Sequence, residues 1–247
     1  MKIYHITYEP TYKSVDIHFW TKCNLNCRSC YTDYEKFDFG LLDDPIAMIA
    51  TKSREEAPHS FLSLEGVIKL LKDIDIEHAI FMGTEPVLDP ELPLLAEKMH
   101  RMFKCYIAVL TNGVRRSNLE HIDEVILSLK AFSDDLHRDY TGRSNRGILN
   151  NLLSIYASGK KLQVETVLIP DYIDAGEIES IARFVAGIDT AIPLRIDAYF
   201  PVGDSPWRAA AAGEVEAATE LARKHLSNVS CLTLDMKRIG DKSVRLF

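Results

Sequence analysis

Three cysteines fall close together in the run Thr21-Lys22-Cys23-Asn24-Leu25-Asn26-Cys27-Arg28-Ser29-Cys30. Steps of four and three residues bring three soft thiolates to one small metal centre, and such ligands suit zinc or an iron–sulfur cluster. A closed site of either kind takes four protein ligands, so a set of three leaves one metal corner open to a small molecule. A structural zinc would need a fourth ligand; His18 is near in sequence but lies on the other side of a predicted strand. Cys105 and Cys231 occur in strand-like runs without a partner at ligand spacing. Both read as buried free thiols.

Further polar groups gather at recurring places. They are Gly83, Thr84 and Glu85 in Met82-Gly83-Thr84-Glu85-Pro86, then Thr111 and Asn112 before Gly113, then Lys130, Val167 in Thr166-Val167-Leu168-Ile169-Pro170, and Asp197 with Tyr199. The elements that must position them alternate along the chain. Strand patterns cover residues 15–20, 78–82, 105–110, 124–129, 162–169 and 194–200, with a short closing strand over 229–234. Helical stripes cover 64–74, 145–157, 176–186 and 213–226, and another helix starts at Asp89-Pro90 with Leu92, Leu95, Ala96 and Met99 on one face. Alternating strands and helices predict a parallel sheet with crossover helices, an α/β fold of partial (β/α)6 TIM-like barrel type.

The order of motifs supports that architecture. The cysteines follow the first strand, residues 83–86 the second, 111–113 the third and Lys130 the fourth. In α/β barrels the C-terminal strand ends carry the chemistry, so four such ends meet at one mouth. One domain is expected over residues 1–247, with a core at about 15–200 and a C-terminal extension over 201–247. Residues 31–60 form the long connection, rich in aromatic and acidic side chains, and read as an ordered lid.

Bulk properties exclude several classes. The chain has 247 residues with 47% hydrophobic content, which suits one barrel-sized unit. No apolar run is long enough for a transmembrane helix, and no signal peptide is evident at the N-terminus. A net charge of −7 argues against nucleic acid as partner, with Arg115, Arg116, Arg138, Arg143 and Arg146 read as solvated surface. Free thiolates as ligands fit a reducing cytoplasm.

Cys23-x-x-x-Cys27-x-x-Cys30 resembles the signature of the radical S-adenosylmethionine (SAM) superfamily, and residues 82–86 are similar to that family's Gly-Gly-Glu-Pro motif, with Thr84 at its second Gly. Residues 110–113 look like its third-strand ending. The runs 128–132, 137–142 and 166–170 are similar to the activating enzyme of pyruvate formate-lyase. The resemblance implies a [4Fe–4S] cluster on Cys23, Cys27 and Cys30, with SAM chelating the fourth iron and being cleaved reductively to a 5′-deoxyadenosyl radical. It implies SAM contacts from Gly83, Thr84, Glu85, Thr111, Asn112, Lys130, Val167 and Asp197. An aromatic residue usually precedes the third cysteine of the family; here Ser29 stands there, so Tyr31 is the expected adenine contact.

An external electron donor of flavodoxin or ferredoxin type is implied, along with a protein substrate if the chain activates a glycyl radical enzyme. No second cysteine cluster is present, so auxiliary clusters are not expected. Three positions depart from the activating enzymes. Leu110 and Ser128 stand where those enzymes have Asp, and Phe200 where they have His, so their monovalent-cation site is absent or rebuilt. Two alternatives stay open: radical chemistry on a small molecule or a protein side chain, and a non-enzymatic iron–sulfur or zinc protein.

Overall fold

The computed structural model describes residues 1–30, 41, 58, 60–202, 204–237 and 239–247. Nine strands form one sheet. They are β1 (Ile3–Glu9), β2 (Ser14–Phe19), β3 (His78–Gly83), β4 (Tyr106–Thr111), β5 (Glu124–Ser128), β6 (Lys161–Leu168), β7 (Leu194–Ala198), β8 (Val229–Leu232) and β9 (Val244–Arg245). Their order across the sheet is β8-β7-β6-β5-β4-β3-β2-β1-β9, so the sheet is open. β2 to β8 pair in parallel, whereas β1 runs antiparallel to both β2 and β9. The expected parallel α/β sheet is present. Its closing strand joins it as β8, and two antiparallel strands extend it beyond the parallel series.

Six α-helices are described: α1 (Leu64–Leu71), α2 (Leu92–Phe103), α3 (Asp134–Thr141), α4 (Arg146–Ala157), α5 (Ala175–Ala186) and α6 (Ala212–Arg223). Local chemistry sets their ends. The Ser63 hydroxyl accepts from the Gly66 amide at the start of α1, and the Asp174 carboxylate accepts from the Gly176 and Glu177 amides at the start of α5. Leu64, Val67 and Leu71 form the buried stripe of α1, and Leu92, Leu95, Ala96 and Met99 that of α2, at helical spacing.

Period-two alternation gives the parallel sheet two unlike faces. Val15, Ile17, Phe19, Phe81, Ile107, Val109, Val125, Leu127, Val164 and Ile196 are fully buried in one apolar core with the helices. The register places the intervening residues side by side on the other face. Asp16 is paired with Ile80, Ser128 with Glu165, Glu165 with Arg195, and Val167 with Asp197. This second face carries the polar side chains.

Three elements, β1, β9 and α3, went unread in the sequence. Ile3 and Ile6 both face the core, opposite Phe19 and Ile17, although they are three residues apart. A register irregularity between Ile3 and His5 makes that possible, and it erases the alternation that marks a strand. The buried side of α3 is His137, Tyr140 and Thr141, which leaves no apolar stripe to detect.

Candidate active site

The cysteine loop leaves β2 and is tied down on both sides. On one side, the Thr84 amide donates to Phe19 O (3.0 Å), and the Thr84 hydroxyl accepts from the Thr21 amide (2.8 Å). That hydroxyl also lies 3.2 Å from Phe19 O and 3.0 Å from Thr21 O. Where the family has a second glycine, this threonine joins the turn after β3 to the start of the cysteine loop. Gly83 just before it has φ +113°, and a Cβ there would sit 2.4 Å from Phe19 O. Only glycine lets the two backbones come so close.

On the other side, the last carbonyls of α3 take up loop amides. Asn26 N donates to Thr141 O (2.9 Å) and Arg28 N to Tyr140 O (3.0 Å). These carbonyls lack helical partners at a C-terminus, so the loop satisfies them. Ser29 Oγ lies 2.6 Å from the Tyr140 hydroxyl, and both residues are buried. A small residue before the third cysteine thus makes room for an aromatic ring arriving from α3. Tyr31, the expected adenine contact, and residues 31–60 as a lid lie outside the described residues apart from Leu41, Pro58 and Ser60.

Cys23, Cys27 and Cys30 are all half-buried free thiols. Burial pushes Cys27 up to about 12, the neighbouring cysteines add to the rise, and the Lys130 charge opposes it. Cys23 is raised chiefly by burial too, with Glu85 and Cys30 contributing. Thiolates packed together at such a cost call for a cationic centre. Among the described residues no three His, Cys, Asp or Glu side chains are placed to hold a single metal ion. Three thiolates on one loop, at steps of four and three residues, can each ligate a separate iron of a cluster. The donor set therefore fits a three-cysteine iron–sulfur centre.

The ends of β3 and β4 lock onto each other through Glu85, which is 1% exposed. Its carboxylate accepts from the Thr111 hydroxyl (2.7 Å) and the Asn112 amide (2.8 Å). Burial pushes this carboxyl up to about 7, while those two donors and the Lys130 charge act in the opposite direction. Each Glu85 oxygen thus takes a donor from the end of β4, and the side chain braces the mouth. Asn112 then reaches the cysteine loop, with its Nδ2 2.7 Å from Asn24 Oδ1 and 3.6 Å from Cys23 Sγ.

Lys130 follows β5 at the centre of these groups. Its charge acts on Cys27, Glu85, His137 and Asp197. Val167 and Asp197 pair across β6 and β7 on the polar face. Asp197 belongs to a network the sequence did not reveal. Arg195 meets Glu165 (2.6 Å) and Asp197 (3.0 Å), and Ser128 donates to the second Glu165 oxygen. Burial pushes the Asp197 carboxyl up to about 6, opposed first by Arg195 and reinforced by Glu165. Period-two spacing of Glu165, Arg195 and Asp197 was the available signal. Their pairing required the strand register. Tyr199, continuing the same alternation, is buried with its hydroxyl bonded to Ser205.

Comparison with known proteins agrees with this geometry. A sequence profile of the radical SAM superfamily matches residues 17–185. A Methanocaldococcus jannaschii protein with the provisional description glycyl-radical enzyme activating enzyme is 32% identical over 187 residues, covering 71% of this chain and 70% of its own length. The pyruvate formate-lyase-activating enzyme of Clostridium pasteurianum is 27% identical over 128 residues, 50% of this chain and 54% of that protein. Among solved structures, a radical SAM methyltransferase from Sphaerobacter thermophilus superposes with a TM-score of 0.63 at 14% identity, covering 96% of this chain and 72% of that one. That likeness shows the shared fold. With its thiolates gathered at the mouth of an open parallel sheet, the chain belongs to the radical SAM superfamily, as an enzyme whose cofactors are a [4Fe–4S] cluster and S-adenosylmethionine.

Proposed function

We propose that this enzyme activates a glycyl radical enzyme by removing a hydrogen atom from a glycine of that partner protein. The observation that carries the reading is the 32% identity, over 71% of the chain, to a protein described as an activating enzyme of this kind. Cys23, Cys27 and Cys30 hold three irons in this reading. When bound, the reduced cluster and SAM supply a carbon-centred radical able to abstract hydrogen.

The chain's own groups bind and orient. Gly83 and Thr84 offer backbone acceptors to the methionyl ammonium, and Glu85 fixes that turn against Thr111 and Asn112. Lys130 balances the methionyl carboxylate as a charge-assisted donor. Val167 lies against the adenine, and Asp197 accepts from the ribose or the substrate. Thr111 and Asn112 act at one remove, because their polar side-chain groups already serve Glu85 and the cysteine loop. The electron comes from outside, from a flavodoxin- or ferredoxin-type donor, and the reducing cytoplasm is the compartment that suits free thiolate ligands. Among the described residues no helix is long and apolar enough to cross a membrane.

A second reading, modification of a small molecule or a protein side chain, draws on Leu110, Ser128 and Phe200 replacing the acidic and histidine positions of the activating enzymes. Anaerobic reconstitution with iron and sulfide, followed by dithionite and SAM, should release 5′-deoxyadenosine. An intact cluster yielding none would overturn both readings. Mixing with a glycyl radical protein should then give a glycyl radical EPR signal. Nucleoside production that never yields this signal would reject activation and leave the second reading.

A further inference from the structure

Arg28 lies between two of the cluster cysteines, and its side chain makes a set of contacts of its own. Its Nη1 meets Asp139 Oδ2 at 2.8 Å. The guanidinium also lies over two rings, 4.9 Å from the centroid of Trp207 and 5.9 Å from that of Tyr172. Those rings stack on each other at 4.4 Å and 27°, and the Tyr172 hydroxyl donates to the same Asp139 oxygen. Tyr140 and Tyr199 meet the Trp207 ring edge-on at 5.9 and 6.2 Å. Arg28 thus collects α3, the segment after β6 and the segment after β7 onto one residue of the cysteine loop.

We propose that Arg28 is a positioning residue for the iron–sulfur centre, and that the Arg28–Asp139 pair sets how readily this centre accepts an electron. The inference rests on the cluster reading of Cys23, Cys27 and Cys30. Reduction adds one negative charge to the centre. A cation nearby favours that step, an anion opposes it, and the pair together is nearly neutral. Planarity suits Arg to the position: the guanidinium stacks on Trp207 while its edge bonds to Asp139, which an ammonium cannot do in one geometry. Both partners are partly exposed, so salt weakens the effect.

The two single substitutions must therefore act with opposite sign. Arg28→Gln leaves Asp139 uncompensated and lowers the midpoint potential. Asp139→Asn leaves Arg28 uncompensated and raises it. The double variant returns close to the starting value. The expected shifts are on the order of a tenfold change in the reduction equilibrium, equivalent to about 59 mV for one electron.

The measurement is an EPR-monitored redox titration of the anaerobically reconstituted protein without SAM, which reads the centre and not turnover. Arg28→Lys should keep the potential while losing the stacked geometry, seen as weaker cluster retention. Opposite shifts support the assignment. If a normally titrating wild-type cluster is accompanied by single variants that move together or not at all, this assignment fails alone. Should Arg28→Gln not fold, the upward shift of Asp139→Asn still decides. A wild-type protein that takes up no cluster would overturn the underlying reading, and the assignment with it.

Discussion

Replacing Glu85 by glutamine tests the most strongly perturbed carboxyl of the mouth. Glu85 is 1% exposed, and its value rises from an ordinary 4.5 to about 7, chiefly through burial. Folding therefore favours its neutral form. Its stabilising contribution is complete below about pH 4.5 and is lost as pH climbs through about 7. At 1.36 kcal/mol per unit the full penalty is roughly 3 kcal/mol, and about 2.5 kcal/mol of it falls between pH 5 and pH 8.

Glutamine cannot ionise. It keeps an acceptor for the Asn112 amide, and its NH2 can donate to the Thr111 hydroxyl once that rotor turns, for a net loss of about 1 kcal/mol. Urea unfolding of the cluster-free protein under reducing conditions should show the wild type slightly ahead near pH 5 and Glu85→Gln ahead by about 2 kcal/mol near pH 8. Comparing variant with wild type cancels the titration of all other groups. Parallel stability curves across this range would refute the burial argument, since they would mean that Glu85 titrates as it does in the unfolded chain.

Other outcomes follow from the same contacts. Gly83→Ala should destabilise the cluster-free protein by at least about 2 kcal/mol, because the new Cβ meets the Phe19 O and N backbone atoms at 2.4 and 2.7 Å; a urea midpoint close to wild type would contradict this. Asn145→Ala removes the buried amide that donates to Ala131 O (3.1 Å) and Phe132 O, a loss of about 1–3 kcal/mol measurable by the same unfolding. Single alanine variants of Cys23, Cys27 and Cys30 should each fail to retain iron and sulfide after reconstitution, while Cys105→Ala and Cys231→Ala retain both. Metal and sulfide analysis after desalting reads the difference.

The parallel strands were legible because each buries one whole face, and the core residues of β2, β3, β4, β6 and β7 carry that alternation plainly. Gly83 and Glu85 could be located by motif, but not what the Glu85 carboxylate does: its partners Thr111 and Asn112 come from a different strand end, and strand order is a tertiary fact. Arg28 illustrates the same boundary. Its partners Asp139, Tyr172 and Trp207 lie on three separate connections, which only the tertiary fold brings together. Ser29 could be seen as a departure from the family pattern, yet the ring that compensates, Tyr140, belongs to a helix without an apolar stripe.

The double anchoring of the cysteine loop has a consequence for maturation. Thr84 and Asn112 grip it from one flank and the final turn of α3 from the other, all through protein hydrogen bonds that need no inorganic partner. Many small metalloproteins gain their shape only by capturing the ion. Here those hydrogen bonds hold part of the loop's shape without drawing on metal binding, which lowers the share of the ordering that the cluster has to supply.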